Sequence, residues 1–93
     1  MMTDDPKAKG AGRAVVKPRR AIRPIDTYIG QELKARRKAA SLSQSALAET
    51  VGVAYQQIQK YERGENRISV ARLIEIARVL DCKITDFIPE EDR

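Results

Sequence analysis

The sequence predicts an all-α fold, and three observations carry that expectation. Alanine, leucine, isoleucine, lysine, arginine and glutamate dominate the composition, and these residues favour helices. Apolar residues recur three and four positions apart along successive segments between residues 26 and 80. No segment alternates apolar and polar residues in the manner of a half-buried strand, and no internal repeat is present. A chain of 93 residues allows one small domain, so the core must be compact.

The elements follow in order. Residues 1–25 are expected to be a disordered basic tail, because Pro6, Gly10, Gly12, Pro18 and Pro24 interrupt any regular element. Asp26 or Thr27 can cap a first helix running to about Ala40, with Ile29, Leu33, Arg36, Arg37 and Ala40 at helical spacing. Lys34, Arg36, Arg37 and Lys38 gather late in that helix, where cations complement its dipole. Arg37 lies on the apolar stripe, and a long cation there needs a buried partner or must snorkel out.

Ser43 caps a second helix that places Leu47, Ala48 and Val51 on one face, and Gly52 ends it. A third helix runs from about Tyr55 to Glu62 and turns Ile58 and Tyr61 inward. Tyr55, Gln56, Gln59 and Lys60 are thereby left facing out. Gly64 stops this helix, and a polar loop, Arg63 to Arg67, follows. Ser69 caps a fourth helix whose Val70, Leu73, Ile76, Ala77 and Leu80 form a core stripe. Thr85 can cap a last short helix holding Asp86, Phe87 and Ile88, limited by Pro89. Phe87 and Ile88 either close the core or contact a second subunit. Residues 89–93 are expected to be an acidic, solvated tail, leaving 26–88 as the folded domain.

Charge narrows the function classes. The net charge is +5, and residues 1–25 carry all of it, with seven basic and two acidic residues. A basic balance suits a polyanion, either nucleic acid or an anionic membrane surface. The tail can serve as an arm on DNA phosphates or in a minor groove, or simply as a solubilising extension. The chain has no His, which excludes a His-based triad, a His-containing zinc site and a His general base. Cys82 is alone, so no intramolecular disulfide forms and a reducing compartment fits. No apolar run approaches a membrane span, and no signal-peptide core is present. The expected location is therefore cytoplasmic, with nucleoid association if DNA is bound. No cofactor, metal or enzymatic role is expected.

The exposed face of the third helix carries two amides, a phenol and an ammonium. Such a face suits the donors and acceptors of base-pair edges in a major groove. An ordinary solvated helix face has a similar composition, so the surrounding pattern has to decide.

That pattern resembles the Cro/CI-type helix-turn-helix domain, the XRE family of bacterial transcriptional regulators. The matching residues are Leu33 and Arg37, then Ser43-Gln44, Leu47-Ala48, Val51-Gly52-Val53, Ile58, Glu62-Arg63-Gly64, and Leu73, Ala77 and Leu80. The resemblance implies a compact, lambda-repressor-like bundle of four or five helices whose third helix enters the major groove. It implies base contacts from Tyr55, Gln56, Lys60 and, more weakly, Gln59. Phosphate contacts are implied for Gln44, Gln57, Arg63, Asn66 and Arg67. Arg37 and Glu62 match a family pair that forms an internal salt bridge. Three departures stand out: Ser41 replaces a frequent glycine, Ala54 replaces a capping Ser or Thr, and Ile68 replaces a common proline.

The expected function is sequence-specific binding of double-stranded DNA by a homodimer at an inverted repeat. Repression by promoter occlusion would follow from binding alone, because the chain leaves no room for an effector domain, and activation through contact with polymerase is the other mode left open. The alternative is an antitoxin of a toxin–antitoxin pair that autoregulates its operon and binds a toxin partner.

Overall fold

The computed structural model describes residues 25–93, which form four α-helices and two short 3-10 helices, with no strand among them. The helices are α1 (Ile25–Ala39), α2 (Gln44–Val51), α3 (Tyr55–Arg63) and α4 (Val70–Val79). The 3-10 helices are Ile84–Phe87 and Glu90–Asp92. The expectation of a disordered basic tail falls on residues 1–24, outside the described residues; Ile25 itself opens α1.

The bundle closes on Leu33, Leu47, Ile58, Ile76 and Phe87, all fully buried, with Ala48, Tyr61, Leu73, Ala77 and Leu80 around them. Each large aliphatic or aromatic side chain so buried contributes about 1.5–3 kcal/mol through removal of apolar surface from water. The most extensive packing is that of α1 on α3, followed by α2 on α3 and α2 on α4. Helix α3 is thus gripped from both sides, with its polar face left outward.

Local chemistry explains the element ends. Ser43 Oγ accepts from the Ala46 amide at 3.0 Å, and Ser69 Oγ accepts from the Arg72 amide at 3.1 Å, so both serines cap their helices. Gly52 (φ 82°) and Gly64 (φ 74°) end α2 and α3 in the left-handed conformation that glycine adopts without steric cost. Ser41 has φ 60°, which accounts for the glycine that the family resemblance leads one to expect there.

Several expectations are corrected. Asp26 lies within the first turn of α1, not before it; its carboxylate accepts instead from Arg67 Nε at 3.1 Å. Thr27 is likewise inside α1, where it packs beneath Gly64. Ala40 lies beyond the helix and is exposed. Val70 is 67% exposed, because the first residue of α4 sits above the packed stripe rather than in it. Thr85 is not a cap: it lies inside the turn, which starts at Ile84 with Lys83 at the cap position two residues earlier, and Asp86 reaches back to accept from the Lys83 amide at 2.9 Å. Pro89, placed in the acidic tail, is buried, and residues 90–93 are exposed but not structureless. They form a 3-10 turn, and Arg93 Nε donates to the Ile88 carbonyl at 2.9 Å.

Candidate nucleic-acid interface

Helix α3 owes its position to a close helix crossing. A Cβ built on Gly30 of α1 would overlap the Tyr61 carbonyl oxygen and lie 2.7 Å from that of Glu62. A Cβ on Gly64 would lie 2.8 Å from Thr27 Cα. The C-terminal end of α3 therefore lies directly on the backbone of α1.

A buried polar network locks the same end. Arg37 Nε donates to Glu62 Oε2 at 2.6 Å, and Arg37 Nη2 donates to Glu62 Oε1 at 3.2 Å. The side chains are only 8% and 4% exposed. Arg37 Nη1 donates to the Leu42 carbonyl at 2.8 Å, which also holds the turn after α1. Gln44 Nε2 donates to Glu62 Oε1 at 3.0 Å, joining the start of α2 to the end of α3. The buried carboxylate is thus met by three donors, which offsets the cost of removing it from water.

The opposite face of α3 is open. Tyr55 is 44% exposed, and Gln56 and Lys60 are exposed. Gln59, expected to face out, is only half-buried, and so is Gln57. Ile58, Tyr61 and Glu62 point inward. Tyr55, Gln56 and Lys60 are therefore brought to one side of one helix. Ala54 precedes them with no capping side chain, so the first amides of α3 rest on local backbone bonding, such as Gln57 N–H to the Ala54 carbonyl at 2.9 Å.

The loop after α3 holds the other polar candidates. Arg63 is exposed and lies 3.7 Å from Glu65. Arg67 is 88% exposed and pairs with Asp26. Asn66 is half-buried. Phe87 is fully buried, so its ring closes the core of the chain and is not offered to a second subunit; Ile88 remains half-buried. Arg36, on the α1 stripe, lies over the Phe87 ring with its guanidinium carbon 5.9 Å from the centroid.

Other chemistry is sparse among the described residues. No group of three or more potential ligands could hold a metal, and no helix is long and apolar enough to cross a membrane. Cys82 lines a shallow hollow with Arg36, Ala39, Ala40, Leu80 and Asp81. Burial pushes its thiol pKa up from the ordinary value, opposed by the charge of Arg36. This depresses thiolate chemistry at neutral pH. Two residues that no local sequence pattern marks bear on how α2 and α3 are held. Gly30 sits at the crossing of α1 and α3. Arg72 of α4 donates from Nη1 to the Val51 carbonyl at 3.0 Å.

Comparison with known proteins agrees with this geometry. The chain is 47% identical to an uncharacterized transcriptional regulator in the ATPase CF(0) region of Rhodospirillum rubrum, over 80% of this chain and 68% of that protein. The other curated relatives it matches are covered over only about half their length. Among solved structures, it is similar to the restriction-modification controller protein C.AhdI from Aeromonas hydrophila. There the identity is 28%, the TM-score 0.65, and the coverage 68% of this chain and 96% of that one. The same fold occurs as 34% of the hydroxypropylphosphonic acid epoxidase of S. wedmorenis, at 29% identity over 69% of this chain and a TM-score of 0.65. The family model described as HTH_3, helix-turn-helix, matches residues 33–87. The chain belongs to this XRE-type helix-turn-helix family of transcriptional regulators, and its DNA-binding domain is the bundle that presents α3.

Proposed function

We propose that the protein is a sequence-specific repressor that binds double-stranded DNA as a homodimer, with α3 in the major groove. The observation that carries this reading is the outward set Tyr55, Gln56 and Lys60 on a helix fixed from behind by Arg37, Glu62 and Gly30. Gln donates and accepts in a bidentate fashion toward adenine, Lys donates toward guanine, and a tyrosine ring packs on a thymine methyl or a sugar. Gln59, half-buried, takes a lesser part.

Phosphate contacts come from Gln44, Gln57, Arg63, Asn66 and Arg67. One N–H of the Gln44 amide is committed to Glu62, so its second N–H is the one left for a phosphate oxygen. Arg67 uses Nε on Asp26, and its Nη groups face solvent at an 88% exposed side chain. One recognition helix reads only a few base pairs, so specificity calls for two half-sites about 34 Å apart, an inverted repeat and a dimer. Occlusion of a promoter by the bound dimer gives repression, and the site of action is the cytoplasmic nucleoid.

The test is selection of bound duplexes from a random pool, at near-physiological salt with competitor DNA, using the wild type and Gln56→Ala. An enriched inverted repeat whose half-site preference changes in the variant supports base reading by α3. Identical enrichment by both proteins, or none, defeats it. A loss of roughly 1–3 kcal/mol at the affected base pair is expected for a bidentate contact.

A further inference from the structure

We propose that Arg72, which lies outside the helix-turn-helix, is a positioning residue for base reading: it sets the joint between α2 and α3 by bonding the carbonyl that ends α2. This inference rests on the DNA-reading proposal above.

Arg72 is itself held at both ends. Its amide donates to Ser69 Oγ at 3.1 Å, in the cap of α4. Its Nη1 donates to Glu75 Oε1 at 2.9 Å and to the Val51 carbonyl at 3.0 Å. The side chain is 31% exposed, so the contact with Val51 is partly shielded from water. Val51 is the last residue of α2, and its carbonyl has no partner within the helix. A cation at this end also suits the helix dipole.

The joint needs such a tie. The amides of Gly52 and Val53 both turn back to the Ala48 carbonyl, so neither reaches Val51. Ala54 then offers no cap to α3. The turn is therefore bonded to α2 at its start and carries no side-chain bond at its end. Tyr55 and Gln56 follow immediately. A shift of the end of α2 relative to α4 passes directly into the side chains proposed to read bases. Geometry at a recognition site must hold within roughly 0.5 Å, so a loosened joint blurs discrimination before it abolishes folding.

A direct phosphate contact by Arg72 is the competing account, and it leaves a different signature. A lost phosphate contact weakens all sequences alike and lowers the slope of log K against log salt by about one. A lost positioning contact weakens the selected sequence preferentially and leaves the slope alone.

The experiment uses the full chain with Arg72→Met, which keeps the stem but has no donor, and Arg72→Lys, which keeps a cation. Binding is measured across a salt series to the duplex selected by the wild type and to a shuffled duplex. Amide hydrogen exchange is followed at residues 52–57 without DNA. The expected result for Arg72→Met is about a tenfold loss on the selected duplex, little change on the shuffled one, an unchanged salt slope and faster exchange in the turn. Arg72→Lys should recover part of each. Equal losses on both duplexes, a slope reduced by about one, or unchanged exchange would overturn the proposal. If the wild type selects no duplex, the DNA-reading proposal falls and the readout role with it. The exchange result then still decides whether Arg72 holds the turn.

Discussion

Gly30 of α1 lies so close to Tyr61 of α3 that a methyl group on Gly30 would overlap the Tyr61 carbonyl oxygen. The obstacle is backbone, which cannot swing aside as a side-chain tip can. In an exposed helix a Gly→Ala change gains about 1 kcal/mol. At this crossing the sign reverses, because α1 and α3 must part to admit the methyl. Gly30→Ala is expected to destabilise the domain by roughly 1–3 kcal/mol. For a domain of this size each kcal/mol lowers Tm by about 4–8 °C. A melting curve at or above that of the wild type would show that the crossing is looser than described.

The Arg37–Glu62 pair supplies the second prediction. Both groups are buried, and Gln44 adds a third donor to the carboxylate. Removing one partner strands a charge, whereas removing both does not. Arg37→Met should therefore cost about 3–5 kcal/mol in denaturant unfolding. Arg37→Met combined with Glu62→Leu should recover most of that loss. Additive costs in the double variant would mean that the two side chains are not coupled. The pair fixes the C-terminal half of α3, so the single variant should also lose sequence preference under conditions where it is folded.

The helices were legible because their signals are local. The stripe of Leu73, Ile76, Ala77 and Leu80, the caps at Ser43 and Ser69, and the stops at Gly52 and Gly64 each depend on residues within a few positions of one another. Val70 misled because periodicity places a residue on a face but does not say whether the partner element extends that far. Gly30 and Arg72 were illegible for the same reason. The first matters only through a carbonyl 31 positions away, and the second through one 21 positions away. No local pattern encodes either separation. Arg37 was an intermediate case: its place on an apolar stripe demanded a partner, but only the family resemblance named Glu62. The outward face of α3 was readable as Tyr55, Gln56 and Lys60. The half-burial of Gln59 depends on neighbouring elements that periodicity does not report.

Ala54 offers a gain of stability at the same joint. Its backbone, φ −70° and ψ 147°, matches that of the capping serines Ser43 (φ −77°, ψ 164°) and Ser69 (φ −64°, ψ 156°). In both of those the hydroxyl accepts from the amide three residues on, and the equivalent amide here is that of Gln57. Ala54→Ser should therefore place its Oγ beside the Gln57 amide, sharing it with the Ala54 carbonyl that already accepts from it at 2.9 Å. Because that amide is not unpaired, the expected gain is at the low end for a cap, about 0.5 kcal/mol in the absence of DNA. Thermal unfolding should report it as a rise of about 2–4 °C. If Arg72 carries the joint as proposed, the cap and the Arg72 contact brace the same turn from opposite sides. Ala54→Ser should then offset part of the accelerated exchange in Arg72→Met at residues 52–57. A stabilisation that leaves that exchange untouched would mean that the start of α3 and the end of α2 move independently.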